Sequence, residues 1–380
     1  MAVAKKKQAA EAAGLAVTAK RSDLLRALTT LRQISGGAKA YPITANVMLH
    51  STSDDSLTVE ATNLDVFGVV VIPGRLEAAG AVTVDAKRLG EFVRELPEGD
   101  LSIVGHENSF VELRSGKSRA KLAGMPASDF PVSMAQDGNE CRFTIDGDSL
   151  GDMIDRAIFA VATDDVRPTL SGLLFEMKPS SLGIAGTDGH RLSHEVVDLE
   201  CSGERTAIVP AAALRIVRRA LASENVTVSV SGAVAWFSCA DWMIGARLVD
   251  GEFPNYDQVI PKDTATVIDV SRDDLLASIR RVSVVLSDRA RGIRFRVAGG
   301  SVELLGQSAD FGEATESVAC EVVSGSEAEA GFNARYVMEA LESVSGASSV
   351  RIGIGSDHSP AAISVPDLDG WLHVVMPMRL

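Results

Sequence analysis

Apolar residues recur at helical spacing in three places that are evenly placed along the chain. Leu89, Phe92, Val93 and Leu96 form one stripe, Leu214, Val217 and Leu221 a second, and Val337, Ala340, Leu341 and Val344 a third. Spacing of three and four residues lays such side chains along one helical face and predicts its burial, although Arg218 interrupts the second stripe. Each stripe is opened by a related segment: Val84-Asp85-Ala86, Val209-Pro210-Ala211 or Phe332-Asn333-Ala334. Each is followed by a run in which apolar and polar positions alternate, at Leu101–Val104, Val226–Val230 and Val350–Ile354, which is strand spacing.

The openings at Val84, Val209 and Phe332 lie 125 and 123 residues apart. A second helical segment, Ser22-Asp23-Leu24-Leu25, reappears 251 residues later as Asp273-Asp274-Leu275-Leu276, and Thr144 through Ile154 fills the slot between them. Repetition at one period means repeated structural units. The chain reads as three copies of strand, helix, several strands, helix, several strands, an α+β pattern in which two helices pack on antiparallel sheets. Predicted boundaries are 16–135, 140–262 and 264–380, with turn-rich joints at Pro126–Asn139 and Pro261-Lys262-Asp263. Residues 1–15 carry Lys5-Lys6-Lys7 and many alanines without an apolar core or cleavage site, and are expected to form a disordered extension.

Composition narrows the class. Hydrophobic residues at 46% and charged residues at 23% are ordinary globular values. No apolar run approaches the roughly 18 residues that would span a bilayer, so no membrane partner is expected. Cys141, Cys201, Cys239 and Cys320 are at least 38 residues apart, which argues against a zinc site or a disulfide scaffold. The expectation is a reduced, cytoplasmic protein with no metal and no other cofactor.

Charge changes the picture more. The net charge is −14, yet the six predicted helices (20–34, 86–96, 148–158, 211–222, 272–281 and 333–343) hold 15 Lys and Arg against 10 Asp and Glu. Lys20, Arg21, Arg26 and Arg32 cluster on one, and Arg215, Arg218 and Arg219 on another, whereas 148–158 and 333–343 are acidic. A basic helical face in an acidic body can attract phosphate, or it can be a solvated surface. No base-reading motif accompanies it, and 5% aromatic content is poor for stacking single strands. Any nucleic acid bound should be a duplex held by its backbone, without sequence preference.

Two segments invite chemistry. Val374-Val375-Met376-Pro377-Met378-Arg379-Leu380 is either a last strand completing a core or a methionine-rich lip on which a peptide docks. Thr187-Asp188-Gly189-His190-Arg191-Leu192 could supply an acid and a base for a hydrolase using Asp188 and His190. Neighbouring side chains on an extended chain face opposite ways, however, and Asp188-Gly189 suits a tight turn. The segment is read as a structural turn.

These segments, with Leu96-Pro97-Glu98-Gly99, Arg114-Ser115-Gly116-Lys117-Ser118-Arg119, Asp129-Phe130-Pro131, Leu248 through Tyr256 and Gly331-Phe332-Asn333, resemble the bacterial sliding clamps, the DNA polymerase III beta subunits. The resemblance covers about residues 16–380. It implies a non-catalytic processivity factor: a head-to-tail homodimer of three-domain protomers, closed into a ring around double-stranded DNA, with helices inside and strands outside. It also implies a cleft where the replicative polymerase, the clamp loader and other proteins with a clamp-binding motif insert a peptide. Carried over, that cleft comprises Leu170, Thr187, Gly189, His190, Arg191, Leu192, Pro254, Val259, Val374, Val375, Met376, Pro377, Met378 and Arg379, with His190 and Arg191 orienting polar groups of the peptide. Gln258 stands where the family commonly has arginine, and the stretch around Pro360 and Ala362 is shifted.

The implied dimer seam sets Lys117, Arg119 and Leu122 against Glu313 and Glu316, with Val285 and Leu286 as an apolar pair. Ala120 replaces a phenylalanine usual there, so the ring is expected to open more readily. Candidate DNA-binding residues are Lys20, Arg21, Arg26, Lys39, Lys87, Arg88, Arg167, Arg215 and Arg219. A repeat-built peptide-binding scaffold with no DNA role is the remaining alternative.

Overall fold

The computed structural model describes residues 14–35, 41–53, 55–131, 140–163, 167–262, 264–287, 291–355 and 359–379. The 1–15 extension up to residue 13, Lys39 and Leu380 therefore lie outside the described residues.

The first eight strands are β1 (Ala16–Lys20), β2 (Asn46–Ser53), β3 (Ser56–Thr62), β4 (Val66–Ala78), β5 (Ala81–Asp85), β6 (Asp100–Gly105), β7 (Phe110–Ser115) and β8 (Ser118–Ala123). With them go helices α1 (Arg21–Leu31) and α2 (Ala86–Glu95). The next set is β9 (Cys141–Asp146), β10 (Gly172–Lys178), β11 (Ser181–Thr187), β12 (Arg191–Asp198), β13 (Arg205–Pro210), β14 (Asn225–Ser231), β15 (Val234–Ser238) and β16 (Trp242–Arg247). Its helices are α3 (Gly147–Ile158) and α4 (Ala211–Ala220). The last set is β17 (Thr266–Ser271), β18 (Gly292–Ala298), β19 (Ser301–Ser308), β20 (Gly312–Ser324), β21 (Ala328–Asn333), β22 (Ser349–Ile354), β23 (Ala361–Val365) and β24 (Leu368–Val375). Its helices are α5 (Arg272–Val282) and α6 (Ala334–Ser343).

The repeated helix openings have a local cause. Asp85 accepts a hydrogen bond from the Arg88 N–H (2.8 Å), and Asn333 accepts one from the Arg335 N–H (3.0 Å). Short polar side chains at these caps satisfy a donor that the first helical turn leaves unpaired. Ser271 performs the same task ahead of α5. Beyond the caps the apolar stripes are buried as the spacing predicts, with Leu89, Val93, Leu214, Val217, Val337 and Leu341 in the interior.

Sheet order repeats as faithfully as the helices do. Four strands run β5-β2-β3-β4, β13-β10-β11-β12 and β21-β18-β19-β20, and the other four run β1-β6-β7-β8, β9-β14-β15-β16 and β17-β22-β23-β24. These are three copies of one unit, antiparallel throughout. The compact units, however, are two: one gathers the chain up to Asp148 with Ala212–Leu248, the other Ser149–Ala211 with Val249–Leu380. The middle repeat is divided because each of its halves is hydrogen-bonded to a neighbouring repeat. In the first unit β16 adds to β4, pairing Trp242 with Val70 through Ala246 with Val66. In the second, β24 adds to β12, pairing Val375 with Arg191 through Trp371 with Glu195. The rule is the same both times: the last strand of one repeat joins the first half of the long strand of the repeat before it. No helix among the described residues is long and apolar enough to cross a membrane.

Candidate functional site

The turn between β11 and β12 is built by its own side chains. The Asp188 carboxylate accepts from the backbone N–H of His190 (2.9 Å) and Arg191 (3.1 Å), and from Arg191 Nε (3.0 Å). The Thr187 hydroxyl donates to the Arg191 carbonyl (2.5 Å) and accepts from the Gly189 N–H (3.1 Å). Gly189 has φ +88°, the left-handed region that glycine enters without steric cost. Asp188 thus uses both oxygens to hold the turn, the structural role read from the sequence.

Against this turn lies the C-terminal segment. Beyond the β12–β24 ladder, the Met376 N–H donates to the His190 carbonyl (3.0 Å) and the Met378 N–H to the Gly331 carbonyl (2.7 Å). Leu192 and Val374 are buried in one apolar cluster and, with buried Leu170, form the floor, whereas Val375 is buried in the core on the opposite face of β24. Met376, Pro377 and Met378 are half-buried above it, while His190 and Arg379 are exposed. Exposed Pro254 and Val259 rise from the segment Val249–Ile260, whose Phe253, Tyr256 and Ile260 pack on Leu174, Ala185, Leu192, Ile208 and Val374. Tyr256 fixes this wall: its hydroxyl donates to the Glu176 carboxylate and sits 3.2 Å from His194 Nε2. Burial and the Glu176 carboxylate push the phenol pKa up, and burial pulls that of His194 down. Most of the carried-over residues lie near one another, as an apolar floor with a methionine rim and a polar lip at His190, but Val375 and Arg191 are buried away from it.

Arg191 corrects the expectation that it orients a bound peptide. It is only 5% exposed, and its guanidinium is bound to Asp188, Glu339 and the Phe159 carbonyl while lying over the Tyr336 ring at 4.4 Å. It buttresses the floor from beneath. Arg167, a candidate for DNA binding, belongs instead to this turn: its Nη2 donates to the Asp188 carbonyl (2.7 Å), and its Nη1 lies 2.7 Å from where a Gly189 Cβ would sit. Neither fact was legible in the sequence, because both depend on which side chain folds back over the turn.

Behind Arg191, His373 is fully buried, with neither ring nitrogen hydrogen-bonded among the described residues. Its ring is 5.2 Å from Phe159 and stacks at 6.4 Å on Trp371. Burial, then the Arg191 charge, pulls its pKa from 6.5 down to about 3. The unfolded chain takes up this proton near 6.5 while the folded protein refuses it, so stability is full above that pH and falls as pH drops toward about 3. Thermal unfolding across this window should show His373→Phe losing less stability on acidification than the unaltered protein.

The other candidate DNA-binding residues divide by their partners. Arg21 is internal: it bonds the carbonyls of Val93 (3.0 Å) and Arg94 (2.6 Å) and the Glu98 carboxylate (2.6 Å), closing the end of α2. Arg26 is paired with Asp241, and Lys87 is 4.0 Å from Glu91. Lys20, Arg88, Arg215 and Arg219 are exposed, without an ion pair among the described residues.

Among the free sheet edges of the described residues, two carry the residues of the implied seam. In the first unit β8 pairs with β7 alone among the described residues, and along it exposed and half-buried residues alternate. Lys117 and Arg119 are exposed and Leu122 half-buried. Glu112 on β7 receives Arg114 and then Arg119, which hold its carboxyl near a pKa of about 2. In the second unit the first half of β20 pairs only with β19. Glu313 is exposed there and accepts from Gln307 (3.1 Å), whereas Glu316 is held by Arg281 (2.7 Å). Val285 and Leu286 are half-buried; beside them in sequence Val284 is 79% exposed, and at the β19–β20 turn Phe311 is 63% exposed.

Comparison with known proteins accounts for all three repeats. The family descriptions "DNA polymerase III beta subunit" N-terminal, central and C-terminal domain match residues 15–134, 144–255 and 257–379 in turn. The beta sliding clamp of Caulobacter vibrioides is 30% identical over 375 residues, covering 96% of this chain and 100% of the relative. That of Escherichia coli is 30% identical over 367 residues, covering 96% and 99%. The crystal structure of the Pseudomonas aeruginosa DNA polymerase III subunit beta superposes with a TM-score of 0.90 at 29% identity, over 96% of this chain and 100% of that one. The chain belongs to the DNA polymerase III beta subunit family of sliding clamps, the non-catalytic processivity factors of DNA polymerase.

Proposed function

We propose that two copies of this chain close head to tail into a ring around duplex DNA in the cytoplasm and tether the replicative polymerase, the clamp loader and other peptide-bearing partners through the cleft at His190 and Met376–Arg379. One observation carries the ring. The long strand of each repeat receives the last strand of the next, as β4 receives β16 and β12 receives β24, which leaves β20 without a guest and β8 without a host. A second copy satisfies both edges by the same rule. The edges also suit each other in charge, with Lys117 and Arg119 on one and Glu313 and Glu316 on the other. The repeats are assigned to 16–135, 140–262 and 264–380.

The absence of base-reading motifs fits a protein held on DNA by topology. The test is retention on circular plasmid after loading. The clamp should stay through gel filtration in high salt and leave when the plasmid is cut once. Equal retention on circular and linear DNA would mean ordinary binding, and no retention on either would favour a peptide-binding scaffold.

A further inference from the structure

The cations on the helices are not equally available. Helices α1, α2 and α4, of the first unit apart from Ala211, carry eight Lys and Arg against three Asp and Glu. Helices α3, α5 and α6, of the second unit apart from the start of α3, carry five against seven.

Pairing sharpens the contrast. All five cations of the second group are committed: Arg156 to Glu195 (2.7 Å), Arg272 to Asp273 and the Leu341 carbonyl, Arg280 to Glu342 (2.7 Å), Arg281 to Glu316 (2.7 Å) and Arg335 to Glu339 (2.7 Å). In the first group Arg88, Arg94, Arg215 and Arg219 are exposed and make no ion pair among the described residues. Arg215 and Arg219 stand one turn apart on α4 and so share a face. Arg94 joins Arg32 and Lys87 in lining a crevice between α1 and α2, where Glu91 is the one acid among the described lining residues. A crevice on the second unit is lined instead by Asp152, Asp155, Glu342 and Asp367 with one arginine, Arg156.

A phosphate approaching a paired arginine must compete with a carboxylate already in place, and an acidic crevice repels it outright. We propose that the grip on duplex DNA is polarised: the backbone phosphates are held by the first unit, at the α1–α2 crevice and at the Arg215–Arg219 face of α4, while α3, α5 and α6 leave them alone. This rests on the processivity reading and names which surface of the clamp meets the duplex. It gives the clamp two sticky sectors per ring and lets the DNA glide past the rest.

The test uses the full-length protein and a short fluorescein-labelled duplex, with affinity followed by anisotropy as salt is raised. Three charge-matched double variants are compared: Arg32→Ala with Arg94→Ala, Arg215→Ala with Arg219→Ala, and Arg280→Ala with Arg335→Ala. Each of the first two should flatten the dependence of log affinity on log salt by about 0.9 for each phosphate no longer neutralised. The third should leave the slope unchanged, with thermal melts confirming that all three fold. Equal flattening in all three, or none in the first two, overturns the polarised grip while the clamp reading stands. If the unaltered protein shows no salt-dependent affinity for the duplex and no retention on circular plasmid, both readings fall.

Discussion

A chain that stops at Val375 will keep its fold and lose its partners. Val375 is fully buried and paired on both sides, with Arg191 of β12 and Ala361 of β23, so the cut must fall after it. Removing Met376 onward takes away two backbone hydrogen bonds, to His190 and Gly331, and the half-buried rim of Met376, Pro377 and Met378. Neither loss opens the interior, because the floor of Leu170, Leu192 and Val374 belongs to strands and turns upstream. The rim is the adaptable apolar surface a docking peptide would use, and loss of central anchors of that kind costs about 2 kcal/mol or more. A labelled peptide carrying the clamp-binding segment of the replicative polymerase should bind at least about 30-fold more weakly. Circular dichroism and the melting temperature should hardly move. A chain ending at Val374 is the contrasting case, in which the β12–β24 ladder itself is shortened. If the chain ending at Val375 unfolds, the segment was a core strand and the cleft assignment loses its rim.

The second large effect is on assembly. Leu122→Asp together with Val285→Asp should leave the protein a monomer in sedimentation, where the proposed ring requires the unaltered protein to be a dimer. Leu122 sits half-buried on β8, where its neighbours Arg119 and Lys121 point to solvent, so a carboxylate there would be desolvated on pairing. Val285 ends the Ser283–Val285 turn that follows α5, beside Val284. Exposure ranks Val284 above Val285 as the residue a partner would cover, and Val284→Asp alone should weaken the dimer while leaving the interior of the second unit untouched. A dimer intact in the double variant would move the seam elsewhere. Glu316 should contribute less than Glu313, since Arg281 already holds its carboxylate and keeps its pKa low.

The sequence carried the repeats because a helix with one buried face must show that face in its spacing, and because caps such as Asp85 and Asn333 mark where helices begin. It carried the turn at Asp188-Gly189 for the same local reason. The division of the middle repeat between two units was not legible: strand spacing says that a strand has a buried face, not which strand lies beside it. The roles of Arg21, Arg167 and Arg191 were hidden too. All three read as exposed cations, and only the fold shows that Arg21 closes α2, Arg167 leans on Gly189 and Arg191 is enclosed by Asp188, Glu339 and Tyr336. A long basic side chain does not announce in sequence which carbonyl or carboxylate it will find.

The open edges of β8 and β20 have a consequence for how errors would appear. A chain with one free edge of each kind is a bifunctional monomer, and such monomers either cyclise or grow. Which occurs depends on whether the rotation added at each joint brings the second free edge back to the first. The internal joints, β4–β16 and β12–β24, contribute to that rotation as much as the joint between copies does. A substitution that twists either internal joint would therefore leave both edges competent but unable to meet in two copies. Its product would be open oligomers that lengthen with concentration, a failure quite different from the monomers expected when an edge itself is spoiled.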